Sequence, residues 1–189
     1  PMGKVLHILL NKKGLDTYPS VYNALYCWFK VGWSNHIITG GATDEFRDLI
    51  EKEYRFSGGY VRCAAQLASV PGHFDVVIVY DPQDLEVLYA TRWLFPKNSY
   101  GHLVHHCLEI PTNSLAGKSI LKNGIHRLLF RGYRLIDSLI VQDKTRAELF
   151  FNTFPRLKGI QCCLGTNSFI NAIEPVANSL GWFDQLRAK

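Results

Sequence analysis

Phe74-Asp75-Val76-Val77-Ile78-Val79-Tyr80-Asp81 is an apolar run of strand length that ends in a carboxylate, and Pro82-Gln83-Asp84-Leu85 turns it into a helix. Farther along, a second such run ends in His105-His106-Cys107-Leu108-Glu109. Two strands that each close on ionisable residues point to one place in a fold. In an open parallel sheet the carboxyl ends of the strands line the crevice where ligands bind.

Working outward, Lys4-Val5-Leu6-His7-Ile8-Leu9-Leu10 is another near-continuous apolar strand, and Pro19 opens a helical pattern that runs to Trp33. A strand is expected over 34–39. Gly40 and Gly41 break it, and Thr43 or Asp44 caps a helix continuing through Glu51 or beyond. Residues 57–70 support two readings, a short strand at Tyr60-Val61-Arg62-Cys63 or a helix through Ala64-Ala65-Gln66-Leu67-Ala68. The pattern then gives strand 75–80, helix 83–95, strand 100–106, a long helix over 118–136, strand 137–142, helix 144–154 capped by Asp143, and strand 159–164. Strands alternating with helices imply right-handed crossovers and a Rossmann-like α/β parallel sheet with helices on both faces. Residues 2–167 are expected to form that domain, and 168–189 a helical tail or linker with its helix at 171–188.

With 189 residues, 47% hydrophobic and 20% charged, the chain can bury a sizeable core, and nothing in it suggests disorder. Pro1 ahead of Met2 reads as an expression remnant, no signal peptide follows, and no apolar run reaches the roughly 20 residues of a membrane span. The five cysteines lack C-x-x-C spacing and sit mostly in apolar segments, as buried thiols of a reducing compartment do. A cytoplasmic protein is expected. A net charge of +5 and a pI near 9.0 suit an anionic partner, be it nucleic acid, a membrane surface or a phosphorylated small molecule.

The run from Asp75 to Leu85, then His105 to Glu109, then Asp137-Ser138-Leu139-Ile140-Val141-Gln142-Asp143-Lys144-Thr145-Arg146-Ala147-Glu148, resembles in order and spacing the N-terminal half of GT-B glycosyltransferases of the family 4 type. The similarity covers most of residues 5–167. It implies a Rossmann-like domain that mainly holds the acceptor, facing a second such domain that binds the nucleotide-sugar donor. The family's paired glutamates beside a basic residue belong to that second domain, so the chain looks like half an enzyme. Many members carry a glycine pair in the first strand-to-helix loop. Here that loop is Asn11-Lys12-Lys13-Gly14-Leu15-Asp16-Thr17-Tyr18, with Asp16 and Thr17 as the expected substrate contacts. Retention of anomeric configuration without cofactor or metal also follows from the resemblance.

By the same resemblance His106 is expected to position sugar and acceptor, and Glu109 to orient or bind a hydroxyl. Transfer of an activated sugar needs the anomeric carbon held against an acceptor hydroxyl while the departing diphosphate is stabilised. A histidine beside the sugar suits that work, although a strand histidine can equally be satisfied within the core, and Glu109 can cap a neighbouring helix. Asp81 and His105 are further candidate substrate contacts; Asp84 reads better as the cap of helix 85–95. Zinc is disfavoured, because His102 and His106 lie roughly 13 Å apart on an extended strand. The sequence also lacks a G-x-G-x-x-G dinucleotide loop and a nucleophile elbow.

In the expected helix 118–136, Leu121, Ile125, Leu128, Leu129, Gly132 and Leu135 follow helical spacing. Lys118, Lys122, His126, Arg127, Arg131 and Arg134 lie largely off that stripe. Such a face either meets anionic lipid, as a lipid-linked acceptor would require, or is simply solvated. No nucleic-acid motif accompanies it. The resulting expectation is the acceptor-side domain of a glycosyltransferase that takes a nucleotide-sugar donor and a glycan or lipid-linked acceptor in polysaccharide assembly. The alternatives are a stand-alone sugar- or nucleotide-binding module and a membrane- or partner-docking domain.

Overall fold

The computed structural model describes residues 3–10, 18–41, 43–55, 60–93, 95–96, 99–108, 110 and 131–165, without the side chains of residues 45, 60, 61, 63 and 64. Seven parallel strands form one sheet in the order β3-β2-β1-β4-β5-β6-β7. They are β1 (Lys4–Leu9), β2 (Ser34–Thr39), β3 (Lys52–Arg55), β4 (Phe74–Val79), β5 (Tyr100–His106), β6 (Ser138–Val141) and β7 (Gln161–Leu164). The described α-helices are α1 (Pro19–Lys30), α2 (Tyr60–Ser69), α3 (Pro82–Ala90) and α4 (Lys144–Thr153).

From β1 the chain builds outward to β2 and β3, then returns to β4 on the other side of β1 and builds the opposite way. Right-handed crossovers must therefore place their connections on opposite faces. The two cores follow this rule. Val21, Leu25 and Trp28 of α1 pack with Val5, Leu9, Ile37, Ile78 and Tyr80 on one face. Leu67 of α2, Leu85 and Leu88 of α3 and Phe150 of α4 pack with Leu6, Ile8, Val77, Leu103 and Leu139 on the other. The reversal makes the β1/β4 boundary the topological switch point, the place at which open parallel sheets commonly bind ligands.

Local chemistry fixes the ends of the helices. Pro19 sits in the first turn of α1, and Gly32 at φ 79° takes the left-handed turn into β2. Asp143 caps α4 by accepting the Arg146 N–H at 2.8 Å.

Two expectations need correction, one open reading is decided, and two others fall wholly or mostly outside the described residues. The helix expected from 43 or 44 through 51 is a 3₁₀ stretch, Asp44–Leu49, that gives way to the edge strand β3. Of β3's side chains only Tyr54 is buried, so it carries no apolar run to announce it. The ambiguous segment is helical over Tyr60–Ser69. Helix 83–95 ends at Ala90, where Thr91 Oγ1 donates to Val87 O and the chain turns. Of the helix expected over 118–136, residues 118–130 lie outside the described residues, and the rest ends in a 3₁₀ turn at Tyr133–Leu135. The helix expected at 171–188 also lies outside them.

Candidate functional site

On the α1-covered face, four polar side chains form a row across the sheet from β2 to β5. Asn35 of β2 is 1% exposed, and both its amide hydrogens are taken, by Leu25 O at 2.8 Å and Leu49 O at 3.0 Å. Its Oδ1 therefore faces His7 Nε2 at 3.0 Å and must accept from it. Burial, above all, pushes the His7 pKa down to about 4, so at neutral pH the ring has one N–H, on Nε2. Nδ1 is then an acceptor, and the Tyr80 hydroxyl donates to it at 2.7 Å. Burial likewise raises the Tyr80 pKa well above its ordinary value and keeps that proton in place.

His106 ends the row. Its ring lies 5.4 Å from the Tyr80 ring, tilted by 39°, with Gly165 on another side: a Cβ there would stand 3.8 Å from Nε2. The residue is 5% exposed, and neither ring nitrogen has a hydrogen-bond partner among the described residues. Buried polar groups are paired in the great majority of cases. Among the described residues the His106 imidazole is thus shielded from water with both nitrogens unspent. Burial and, less, the neighbouring His105 lower its pKa to about 3, so the ring is neutral and offers one donor and one acceptor.

Strand alternation sends His105 to the other face. There Nδ1 donates to Val79 O at 3.3 Å, Nε2 takes the Tyr133 hydroxyl at 3.5 Å, and the ring packs beside Phe150. The structure thus separates His105 from His106, and His105 is bonded within the core. His102 meets Ser138 Oγ at 2.7 Å, low on the strand.

At the crevice itself, Asp84 is 1% exposed and ties two elements together. Its Oδ1 accepts the Leu10 N–H at 3.1 Å and its Oδ2 the Asp81 N–H at 3.0 Å, pinning the end of β1 to the start of α3. Burial, with Asp81 second, raises its pKa well above the carboxylate range against the pull of these bonds. Asp84 is a helix-capping clasp. Asp81, the N-cap of α3, is partly buried and lies two residues past the end of β4, the strand that pairs with the His106 strand β5. Glu109, Asp16 and Thr17 lie outside the described residues, as do Lys118, Lys122 and Arg127; Arg131 and Arg134 are exposed. Just past β5, Arg146 of α4 holds the chain by donating to Leu108 O at 3.1 Å.

Sequence reasoning missed Asn35, His7 and Tyr80. The signal was available, since a polar side chain inside an apolar strand must find a buried partner.

No protein-family model matches the sequence, and no curated protein matches it. Among solved structures, the chain aligns over 98% of its length with 50% of the chain of Anabaena Alr3699/HepE, crystallised in complex with UDP and glucose, at a TM-score of 0.53 and 12% identity. What the two share is the Rossmann-like α/β parallel sheet. The chain spans half the length of that structure, and at such identity the likeness is one of fold. A second match, the imine reductase BcSIRED from Bacillus cereus BAG3X2, covers 98% of this chain and 63% of its own at 13% identity; its TM-score of 0.34 carries no argument.

Proposed function

We propose that this chain is the acceptor-side half of a nucleotide-sugar-dependent glycosyltransferase that acts in glycan or polysaccharide assembly, in the manner of the GT-B enzymes of the family 4 type. The observation that carries the proposal is the unbonded, buried, neutral imidazole of His106 at the carboxyl end of β5, near the switch point of a fold shared with half of a protein that holds UDP and glucose. A neutral ring donates to one sugar hydroxyl and accepts from another. In a dry site such bonds hold the anomeric carbon against the acceptor without introducing a charge. With a pKa near 3 the ring is a poor base, so its part is positioning rather than proton removal.

In this reading Glu109 orients a hydroxyl beside His106, Asp81 lines the crevice, and Asp16 and Thr17 of the first loop meet the substrate. His105 supports the strand from its other face. The donor nucleotide is held mainly by a second domain. Among the described residues no helix is long and apolar enough to cross a membrane. A lipid-linked acceptor would be met at the surface, through Lys118, Lys122, Arg127, Arg131 and Arg134.

The test is to incubate the purified chain with a panel of nucleotide sugars and follow released nucleotide, while its histidine ring resonances are recorded against glucose and UDP-glucose. Little turnover and sugar-dependent movement of the His106 signals are expected. Robust turnover would show that the donor site lies in this half, and His106 signals indifferent to every sugar would end the proposal.

A further inference from the structure

Among the described residues His106 has no hydrogen bond to set the angle of its ring, so what aims it there acts by packing. On one side stands the Tyr80 ring at 5.4 Å; near Nε2 the wall is Gly165 and Ile140. The Tyr80 ring is itself not free to turn. Its hydroxyl is 2.7 Å from His7 Nδ1, His7 is held by Asn35 at 3.0 Å, and Asn35 is held by two backbone carbonyls of the α1 layer. The His7 and Tyr80 rings lie 6.0 Å apart and within 12° of parallel. Each member of this chain has its donor or acceptor role fixed by the one before it, starting from groups that cannot rotate.

We propose that Tyr80 is a positioning residue for the sugar site: its hydroxyl, anchored through His7 to Asn35, holds the phenol ring as the wall that orients the His106 imidazole toward the substrate. The assignment rests on the reading of His106 as the group that meets the sugar. An imidazole aimed by packing offers its donor and acceptor at a fixed angle, and hydroxyl recognition depends on that angle. Releasing the hydroxyl lets the phenol ring turn without emptying its volume, and the His106 ring loses its register.

Tyr80→Phe keeps the ring and deletes the anchor. Long-range ¹H–¹⁵N spectra of the purified chain are recorded for wild type, Tyr80→Phe and His106→Ala, together with titrations of glucose and UDP-glucose. In wild type, His7 is expected as the Nε2–H tautomer at neutral pH. In Tyr80→Phe its Nδ1 signal moves to that of a free lone pair, the His106 ring signals shift or broaden, and sugar affinity falls about tenfold, the equivalent of one ordinary hydrogen bond. His106→Ala loses sugar binding.

His106 ring signals unchanged in Tyr80→Phe would overturn the positioning role whatever sugar binding does. Ring signals that move while His106→Ala binds sugar like wild type would overturn the functional reading and leave the positioning intact. Should Tyr80→Phe fail to fold, the double variant His7→Leu/Tyr80→Phe, which removes the imidazole whose Nδ1 the single variant leaves without a donor, is read by the same His106 signals.

Discussion

Replacing His106 by Phe is expected to remove the sugar contact and make the fold more resistant to acid. In the folded chain the His106 pKa is near 3, against an ordinary 6.5. A folded pKa depressed in this way gives a contribution that is intact above about pH 6.5 and is lost as pH falls toward 3, because the unfolded chain takes up the proton first. Between pH 7 and pH 5 this amounts to about 2 kcal/mol. His7 and His105, also pushed down to about 4, lose stability in the same direction. Asp84 and Glu86, whose pKa values are raised, act in the opposite direction. All four are present in wild type and variant alike, so they cancel in the difference.

At pH 7 alone the comparison is undecided, since about 1–3 kcal/mol of strain from the larger ring opposes a similar relief from burying fewer unpaired nitrogens. The change with pH is free of that ambiguity. Urea unfolding of both proteins at pH 7, 6 and 5 should show the variant gaining about 2 kcal/mol on wild type over the range. A difference that stays constant with pH would mean that His106 titrates normally when folded, and the dry, unpaired site would be refuted.

Asp84→Asn turns one of two acceptor oxygens into a donor facing the N–H of Leu10 or Asp81, and a loss of about 1–3 kcal/mol is expected in chemical unfolding. Because the raised pKa of Asp84 favours the fold most at low pH and less as pH rises, the deficit should narrow from pH 4 to pH 8; a deficit that widens would reverse the sign of that shift. Gly165→Ala would set a Cβ 2.9 Å from Ile140 Cγ2 and 3.8 Å from His106 Nε2. Calorimetry should record a destabilisation of about 1 kcal/mol with weaker glucose binding, and unchanged binding would remove Gly165 from the site wall. Arg131→Gln/Arg134→Gln should reduce co-sedimentation with anionic vesicles at low salt by about 1 kcal/mol per charge, decaying over roughly 8 Å at physiological salt. If wild type shows no preference for anionic over neutral vesicles, the basic face is only solvated.

What the sequence disclosed depended on burial. The interior strands β1, β2, β4, β5 and β6 are buried along most of their length, and their expected ends fell within a residue or two of the observed ones. The edge strand β3 reads Lys52-Glu53-Tyr54-Arg55, with one buried residue, and no periodicity could separate it from the preceding turn. The polar strand ends at Asp81 and His106 were legible because strand-end polarity is a local signal. The row behind it was not, since Asn35, His7 and Tyr80 come from three strands that only the sheet order brings side by side. His105 and His106 were read together as a pair, although the two-residue period of a strand already assigns them to opposite faces.

That pair also shows which measure favours His106 over His105 as the proposed sugar contact. Both rings are buried, both are neutral, and burial lowers the pKa of both, to about 4 and about 3. A perturbed pKa therefore cannot choose between them, because desolvation acts on any imidazole taken out of water. Counting bonds does choose. His105 has a carbonyl for its proton and a phenol for its lone pair, so bringing a ligand to it would mean exchanging one set of bonds for another. His106 has neither, and the fold bears that cost at a position backed by a tautomerically fixed row of three side chains. A sugar hydroxyl arriving there makes bonds without breaking any in the protein, so the unfavourable term in folding becomes a favourable term in binding.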